Sequence, residues 1–254
     1  MSEAVGYELR GPVAWVTIQR PETRNALSLE VRTGLFEAIR RFSDDAEAAV
    51  LVLTGAGEKA FCAGGDLKEM AENSLQVPPI DFVPQFQRNI QVDKPVIAAV
   101  NGVAYAGGFL LAQNCDLVVA AEHARFAITE VTVGRGAPWA APLPWMLPPK
   151  VAMQLLITGE PISASRAYEL GLVNEVTTAG DLIERTQRLA ERIAGNAPLS
   201  VTAGKRMLYR TRELPLAEAY DEAERIFESV YLSEDAQEGP LSFREKRKPN
   251  WKGR

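Results

Sequence analysis

Short apolar runs that end at glycine or proline recur along the first half of the chain. Residues 13–19, 49–54, 95–100 and 117–121 are rich in valine, leucine, isoleucine and alanine, and each run is predicted to form a β-strand. The last three are almost wholly apolar, which is typical of strands buried on both faces of a parallel sheet. Because helical segments separate these strands, the pattern predicts an α/β fold.

Apolar residues spaced three and four positions apart indicate the helices. Ser28 is a predicted N-cap, and the apolar face that follows it extends to about Phe42. Ser163 and Asp181 are predicted to begin two later helices, and residues 216–230 carry a further amphipathic face.

Residues 137–149 interrupt the regular pattern with five prolines and two tryptophans, so an irregular, stiff loop is predicted there. We find no internal repeat, low-complexity stretch or linker. One folding unit is therefore expected, with an α/β core over residues 1–195 and a helical region with a basic tail over residues 196–254.

Composition and charge exclude several classes of function. The net charge of −5 repels nucleic acid, so we expect no nucleic-acid partner. No run of 18 apolar residues predicts a membrane span, and residues 1–11 lack the features of a signal peptide. Cys62 and Cys115 lie in apolar surroundings, give no disulfide framework and fit a reducing cytoplasm.

Two glycine-rich turns are candidates for chemistry. They cover residues 59–66 and 101–108, and the second leads into a predicted buried helix. Glycine lets a backbone approach a ligand closely, and a helix N-terminus offers free N–H groups. Side by side, the turns would form an oxyanion hole; otherwise they are simply tight turns. Neither a P-loop nor a dinucleotide-binding glycine motif is present.

We expect a carboxyl group to perform any acid–base chemistry, because the chain has a single histidine and that histidine is not expected to be catalytic. His123 lies in a polar turn where we expect it to be solvated, and no Cys/His cluster suggests zinc. Glu130 is the unusual acid, since it lies in an otherwise apolar and β-branched run over residues 126–133. It is either a paired core acid or a functional group with a raised pKa.

Residues 244–254 carry six basic side chains and one acidic side chain. Such a run is usually a solvated tail. The alternative is a phosphate-binding strip in which Phe243 or Trp251 faces an adenine ring. A role in RNA binding would also rest on this tail, and the acidity of the remaining chain opposes it.

Taken together, these stretches resemble the crotonase, or enoyl-CoA hydratase/isomerase, superfamily along nearly the whole chain. The resemblance is carried by residues 17–22, 25–27, 51–70, 94–108, 158–163, 171–174 and 233–254. The last stretch and residues 143–149 are most similar to the carnitinyl-CoA dehydratase branch. The resemblance implies a spiral of ββα units, with C-terminal helices that assemble into trimers, often as dimers of trimers.

The resemblance also implies a coenzyme A (CoA) thioester as substrate, with no metal or other cofactor. It assigns the oxyanion-hole N–H groups to Ala63 and Gly107 and a catalytic carboxylate to Glu130. It implies that CoA lies along Arg24, Lys59, Asp66 and Leu67, and that Phe243 and Lys246 reach the adenine end, from this or a neighbouring subunit.

The chain departs from the family at one catalytic position. Hydratases of the family use two glutamates, and Leu110 stands where the first is expected. General acid–base catalysis typically contributes ~10²–10⁴-fold, so ordinary two-acid hydration should be impaired. The remaining Glu130 can still move a proton between C2 and C4, as enoyl-CoA isomerases do. Trp139 and Trp145 either form the wall of an acyl pocket or pack in the core.

We therefore predict an enzyme of the enoyl-CoA hydratase/isomerase type in cytoplasmic fatty acid metabolism. An aromatic enoyl-CoA hydratase–lyase and an acyl-CoA binding protein with weak catalysis are the alternatives. Glu69, Asp93 and Tyr105 are the candidates to replace the missing glutamate.

Overall fold

A computed structural model describes residues 3–254; Met1 and Ser2, at the start of the segment in which we expect no signal peptide, lie outside the described residues. The strands are β1 Val5–Arg10, β2 Val13–Ile18, β3 Val50–Gly55, β4 Ala60–Cys62, β5 Val96–Val100, β6 Val103–Tyr105, β7 Leu117–Ala121, β8 Arg125–Ala127, β9 Ile162–Ser163 and β10 Glu175–Thr177. The α-helices are α1 Leu29–Asp44, α2 Leu67–Glu72, α3 Gly107–Asn114, α4 Pro149–Thr158, α5 Ala164–Glu169, α6 Leu182–Ala194, α7 Pro198–Thr211, α8 Leu216–Tyr231 and α9 Glu234–Glu245.

The strands form two sheets. The first has the order β1-β2-β3-β5-β7-β10 and is parallel except for the β1–β2 pair, and the second has the order β4-β6-β8-β9 and is parallel except for β9. The chain runs from one strand of the first sheet to one strand of the second and then into a helix, as in β3-β4-α2 and β5-β6-α3. This path confirms the predicted spiral of ββα units, although the sequence shows no repeat.

The predicted strands agree with β2, β3, β5 and β7 to within one residue at either end. The prediction of plain turns at residues 59–66 and 101–108 was incomplete, because these segments contain β4 and β6. Each of these strands has three residues, which is too short to show a periodic pattern in the sequence. They pair with each other and belong to the second sheet.

The core of the first sheet has two apolar faces, because successive side chains of a strand point to opposite sides. Leu51 and Leu53 of β3 join the cluster that includes the buried face of α1. Val50 and Val52 join the cluster that includes Leu182 of α6. Burying one such side chain typically contributes ~1.5–3 kcal/mol, which explains why this strand is apolar on both sides.

Helix starts follow the predicted caps. Ser28 and Ser163 each accept a hydrogen bond from a backbone N–H in the first turn of α1 and α5, respectively. Asp181 precedes α6 as predicted, but its side chain makes no capping hydrogen bond. Residues 137–149 form two short 3-10 turns before α4 begins, as expected for a proline-rich loop.

The basic tail is held against α9. Arg247 forms paired hydrogen bonds with Glu238, and the backbone N–H groups that follow Trp251 donate to the buried Asp235. Trp251 donates from Nε1 to the carbonyl oxygen of Gly195 at 2.9 Å. The six basic side chains of the tail are exposed, as expected for a solvated run, whereas Trp251 is fixed within the fold.

The two cysteines are buried and unpaired. Burial raises the pKa of the Cys62 thiol to about 12 and also raises that of Cys115. Within residues 3–254, no group of three histidine, cysteine or acidic side chains is arranged to hold a metal ion. No helix in the same range has the length and apolarity needed to cross a membrane.

Candidate active site

The loop between β3 and β4 is fixed by two buried asparagines. Asn101 donates from Nδ2 to the carbonyl oxygen of Gly55 at 2.8 Å, and Asn25 donates from Nδ2 to that of Ala60 at 2.7 Å. A buried polar group left without a partner typically costs ~1–3 kcal/mol. These side chains therefore stabilise the path of the chain into β4 and so position residues 63–67 behind it.

Glycine allows the loop after β4 to touch the start of α3. Gly64 has a φ of +99°, and a Cβ atom there would lie 2.8 Å from the Cβ atom of Ala106. A Cβ atom on Gly108 would lie 2.0 Å from the carbonyl oxygen of Cys62. Any larger residue at either position would push the two segments apart.

The backbone N–H groups at this contact differ in their availability. The N–H of Ala63 donates to the carbonyl oxygen of Arg24 at 3.0 Å. The N–H groups of Gly65 and Gly107 have no hydrogen-bond partner among residues 3–254, and both glycines line a cavity. Gly107 is the first residue of α3, where the N–H has no intrahelical acceptor. This arrangement argues against Ala63 as an oxyanion donor and favours Gly65 together with Gly107.

Ala106 holds the backbone in a strained conformation directly before Gly107. Its φ of 49° and ψ of −118° lie outside the regions that residues with a side chain normally adopt. Such strain is typical of functional sites and costs on the order of 1–3 kcal/mol. The conformation is held from both sides, because Ala106 donates its N–H to Ala127 at 2.9 Å and accepts from Leu110 at 3.0 Å.

A cavity of about 380 Å³ opens beside these N–H groups. The predicted site residues that line it are Ala63, Leu67, Gly107, Leu110, Glu130 and Trp139. Residues 77–88 and Arg135 also contribute to the lining, and sequence reasoning missed them. Residues 77–88 show no apolar periodicity that would have indicated their place in the fold.

Glu130 is the carboxylate of this cavity. It lies in a 3-10 turn after β8, and its Oε1 accepts a hydrogen bond from Trp139 Nε1 at 2.9 Å. Its Oε2 is buried and has no hydrogen-bond partner. Burial raises the pKa of Glu130, and hydrogen bonds from its own backbone N–H and from Trp139 partly oppose this effect. A carboxylate with one oxygen fixed and the other free is suited to accept a proton.

Leu110 lines the same cavity and is 2% exposed. No candidate for the missing glutamate is among the residues that line the cavity. Glu69 is paired with Arg32 at 2.9 Å, and Asp93 forms an ion pair of its own at 3.4 Å. Tyr105 lies in β6, outside the cavity lining.

Arg24 and Lys59 lie outside the cavity, in a surface groove of about 610 Å³ that also includes His123. His123 is exposed as expected, although its Nε2 lies 3.1 Å from each of two backbone carbonyl oxygens. Asp66 caps α2 and pairs with Arg20 at 3.4 Å, next to Leu67 at the edge of the cavity.

Two predicted ligand contacts lie at the C-terminal end of α9, away from the cavity lining. Phe243 is 86% exposed, and Lys246 follows the last turn of the helix. Trp145 is also exposed and lies under the guanidinium of Arg212, with 4.4 Å between that group and the ring centre. The suggestion that Trp145 forms part of the pocket wall was therefore wrong, whereas Trp139 lines the cavity.

Known proteins are similar to this chain in both sequence and architecture. The enoyl-CoA hydratase/isomerase family model matches residues 8–254. A carnitinyl-CoA dehydratase from Salmonella typhi is 40% identical over the full length of both chains. An enoyl-CoA hydratase/isomerase from Mycobacterium paratuberculosis superposes with a TM-score of 0.91 at 35% identity, covering 100% of both chains. An enoyl-CoA hydratase from Mycobacterium tuberculosis H37Rv gives a TM-score of 0.91 at 38% identity, covering 99% of each. The chain is therefore an enzyme that belongs to the enoyl-CoA hydratase/isomerase family.

Proposed function

We propose that this enzyme moves the double bond of a 3-enoyl-CoA thioester to the 2 position, with Glu130 as its single acid–base group. The observation that carries the proposal is the composition of the cavity. Glu130 is the one carboxylate among the described lining residues, and Leu110 occupies the place where a second would be needed for two-acid hydration.

Proton transfer by one carboxylate accounts for the whole reaction. Glu130 removes a proton from C2 of the thioester, and the electrons of that C–H bond form a dienolate across the carbonyl group and the double bond. The protonated Glu130 then returns the proton to C4, which leaves the double bond between C2 and C3. The raised pKa of Glu130 favours this step, because the group must hold the proton between the two transfers.

The N–H groups of Gly65 and Gly107 would stabilise the negative charge that develops on the thioester oxygen. Both lack a partner, and both belong to the cavity that contains Glu130. An oxyanion donor of this kind is typically worth ~10²–10³-fold in rate. Gly65 replaces Ala63 in this role, because the N–H of Ala63 is already bonded to Arg24.

We further propose that CoA extends from the cavity past Leu67 and Asp66 toward the cations of Arg24 and Lys59. The thioester supplies the chemistry in this scheme, and no metal or other cofactor takes part. Large apolar side chains remain exposed on the C-terminal helices, including Leu216 and Phe243. Exposed large apolar side chains of this kind are consistent with an interface between subunits.

A homotrimer, or a dimer of trimers, would cover this surface. It would also bring Phe243 and Lys246 toward the adenine ring of a CoA molecule bound to a neighbouring subunit. We also propose that the enzyme acts in the cytoplasm, because its two buried unpaired thiols fit a reducing compartment. We place it in fatty acid metabolism because its family is named for enoyl-CoA thioesters.

Hydration is the second candidate, because the similar Salmonella protein is named a dehydratase. One-carboxylate hydration, including the aromatic hydratase–lyase reaction, would have Glu130 activate water, with Trp139 against the acyl group. Because the cavity has a single carboxylate, isomerisation is favoured over simple hydration and over the hydratase–lyase reaction.

A thioester panel separates these reactions. The purified enzyme and its Glu130→Gln variant are offered 3-hexenoyl-CoA, 2-hexenoyl-CoA and a cinnamoyl-type CoA, and the products are identified by mass spectrometry. We expect conversion of the 3-enoyl to the 2-enoyl thioester without a mass change, and loss of this activity in Glu130→Gln. Fast addition of water by the wild-type enzyme would contradict the proposal, and tight binding without any turnover would indicate a binding protein.

A further inference from the structure

Arg135 is a cation of the cavity lining that forms no ion pair among the described residues. Its Nη1 donates to the carbonyl oxygen of Leu75 at 2.7 Å, whereas its Nη2 is buried and has no hydrogen-bond partner. A buried guanidinium N–H left unsatisfied is costly, so this group is suited to an acceptor supplied by a ligand.

The backbone fixes Arg135 relative to the catalytic carboxylate. The N–H groups of Gly134 and Arg135 both donate to the carbonyl oxygen of Glu130, the latter at 2.9 Å. Gly134 has a φ of +67°, which reverses the chain after the 3-10 turn. Glu130 and Arg135 therefore line one cavity from adjoining turns, while the Arg135 side chain extends to the segment around Leu75.

The charges of the cavity are unequal. Its charged lining residues are Glu130, Arg88 and Arg135, and most of the others are apolar. Arg88 is exposed and donates from Nη1 to Gln85 at 2.7 Å, whereas Arg135 is half-buried. The cavity thus has an excess of positive charge, and its buried guanidinium nitrogen without a hydrogen-bond partner belongs to Arg135.

We propose that Arg135 binds the far end of the acyl group and selects thioesters whose acyl group ends in a carboxylate. This inference rests on the proposed function, which has the thioester oxygen at Gly65 and Gly107 and C2 beside Glu130. The Nη2 of Arg135 offers two N–H donors, and a charge-assisted hydrogen bond to a carboxylate is about twice as strong as a neutral one.

The same arrangement disfavours a cationic acyl group. A carnitinyl group ends in a quaternary ammonium, which has no N–H or lone pair to offer and would repel Arg135. The enzyme is therefore expected to discriminate against the substrate named for its Salmonella relatives. Conversely, a reaction that yields a dicarboxylic acyl-CoA thioester would supply its substrate.

The test compares two thioesters that differ at one end only. 3-Hexenedioyl-CoA and 3-hexenoyl-CoA share six acyl carbons and the double-bond position, and carry a terminal carboxylate and a methyl group, respectively. We expect kcat/KM of the wild-type enzyme to favour the carboxylate by at least ~10-fold, and Arg135→Gln to lower this ratio by ~10²-fold. Arg135→Lys should retain part of the preference, because it keeps the charge and loses the planar donor geometry.

Arg88→Gln is the matched control, since it removes the same charge from the exposed part of the lining. We expect it to change the ratio by less than ~3-fold, because an exposed charge is screened by solvent. Equal use of both thioesters by the wild-type enzyme, or equal losses on both in Arg135→Gln, would overturn the inference. Thermal unfolding of each variant identifies changes caused by misfolding.

Binding of saturated thioesters makes the result independent of catalysis. Adipoyl-CoA and hexanoyl-CoA have no double bond to move, and their Kd values are measured by calorimetry. Tighter binding of adipoyl-CoA that is lost in Arg135→Gln supports the inference even if no isomerase activity is found. Isomerisation of 3-hexenoyl-CoA without any preference for adipoyl-CoA would refute the role of Arg135 and leave the proposed function intact.

Discussion

Gly107→Pro removes one N–H group from the proposed oxyanion hole and also constrains the strained backbone of Ala106 directly before it. Gly107 is the first residue of α3, and proline is common there because the N–H has no partner within the helix. Gly107→Ala is the matched variant, since it adds a Cβ atom and keeps the N–H. In both variants this Cβ atom lies 2.6 Å from Cδ1 of Leu27, so both require the same shift of that side chain.

The difference between the two variants measures the loss of the N–H donor together with the ring Cδ atom that takes the place of its hydrogen. Loss of one oxyanion donor typically lowers kcat by ~10²–10³-fold, or ~2.7–4 kcal/mol of transition-state stabilisation. Overpacking typically costs ~1–3 kcal/mol of stability and is common to both. We expect Gly107→Ala to keep most of its kcat and Gly107→Pro to fall ~10²–10³-fold below it.

The assay follows the absorbance of the conjugated 2-enoyl thioester as it forms from 3-hexenoyl-CoA. Circular dichroism and the Kd of hexanoyl-CoA establish that both variants fold and bind. If folded Gly107→Pro turns over as fast as Gly107→Ala, the N–H of Gly107 does not stabilise the transition state, and the assignment of the oxyanion hole is refuted.

Three further substitutions test the remaining parts of the site. Leu110→Glu supplies the second carboxyl group, so we expect hydration of 2-hexenoyl-CoA to rise by ~10²-fold or more; an unchanged hydration rate would contradict the assigned role of this position. Trp139→Phe removes a hydrogen bond that lowers the pKa of Glu130, so the acidic limb of kcat/KM against pH should move to higher pH; a fixed limb would argue against Glu130 as the base. Glu130→Gln removes a carboxyl group whose pKa in the folded state is raised above 4.5 by burial. Such a group opposes folding once it ionises, so calorimetry should give this variant the higher Tm at pH 7, with the difference shrinking as the pH falls toward 4.5.

The strand segments were predictable because burial on both faces leaves a continuous apolar run. β7 was predicted at its observed bounds, residues 117–121. β4 and β6 were not, because three residues give no period and their pairing depends on where the neighbouring strands of the first sheet bring them. The second sheet therefore forms because of the path of the whole chain, and no local sequence pattern predicts it.

The candidate site was predictable where a residue contrasts with its surroundings. Glu130 is noticeable as an acid in an apolar run, and the structure places it in the cavity. The choice between Ala63 and Gly65 depends on the backbone reversal at Gly64, whose φ of +99° determines which N–H is left without a partner. The sequence does not single out Arg135. What distinguishes this residue is the absence of an ion-pair partner, and only the structure shows that absence.

The burial of both thiols has a practical consequence for spectroscopy. The thiolate is the form that reacts with maleimides, and the raised pKa of Cys62 and Cys115 leaves almost none of it at neutral pH. Val77 lies on the rim of the cavity and is 86% exposed. A cysteine introduced there would be labelled selectively in the folded enzyme, so that a fluorophore could report the entry of each thioester without prior removal of the native cysteines.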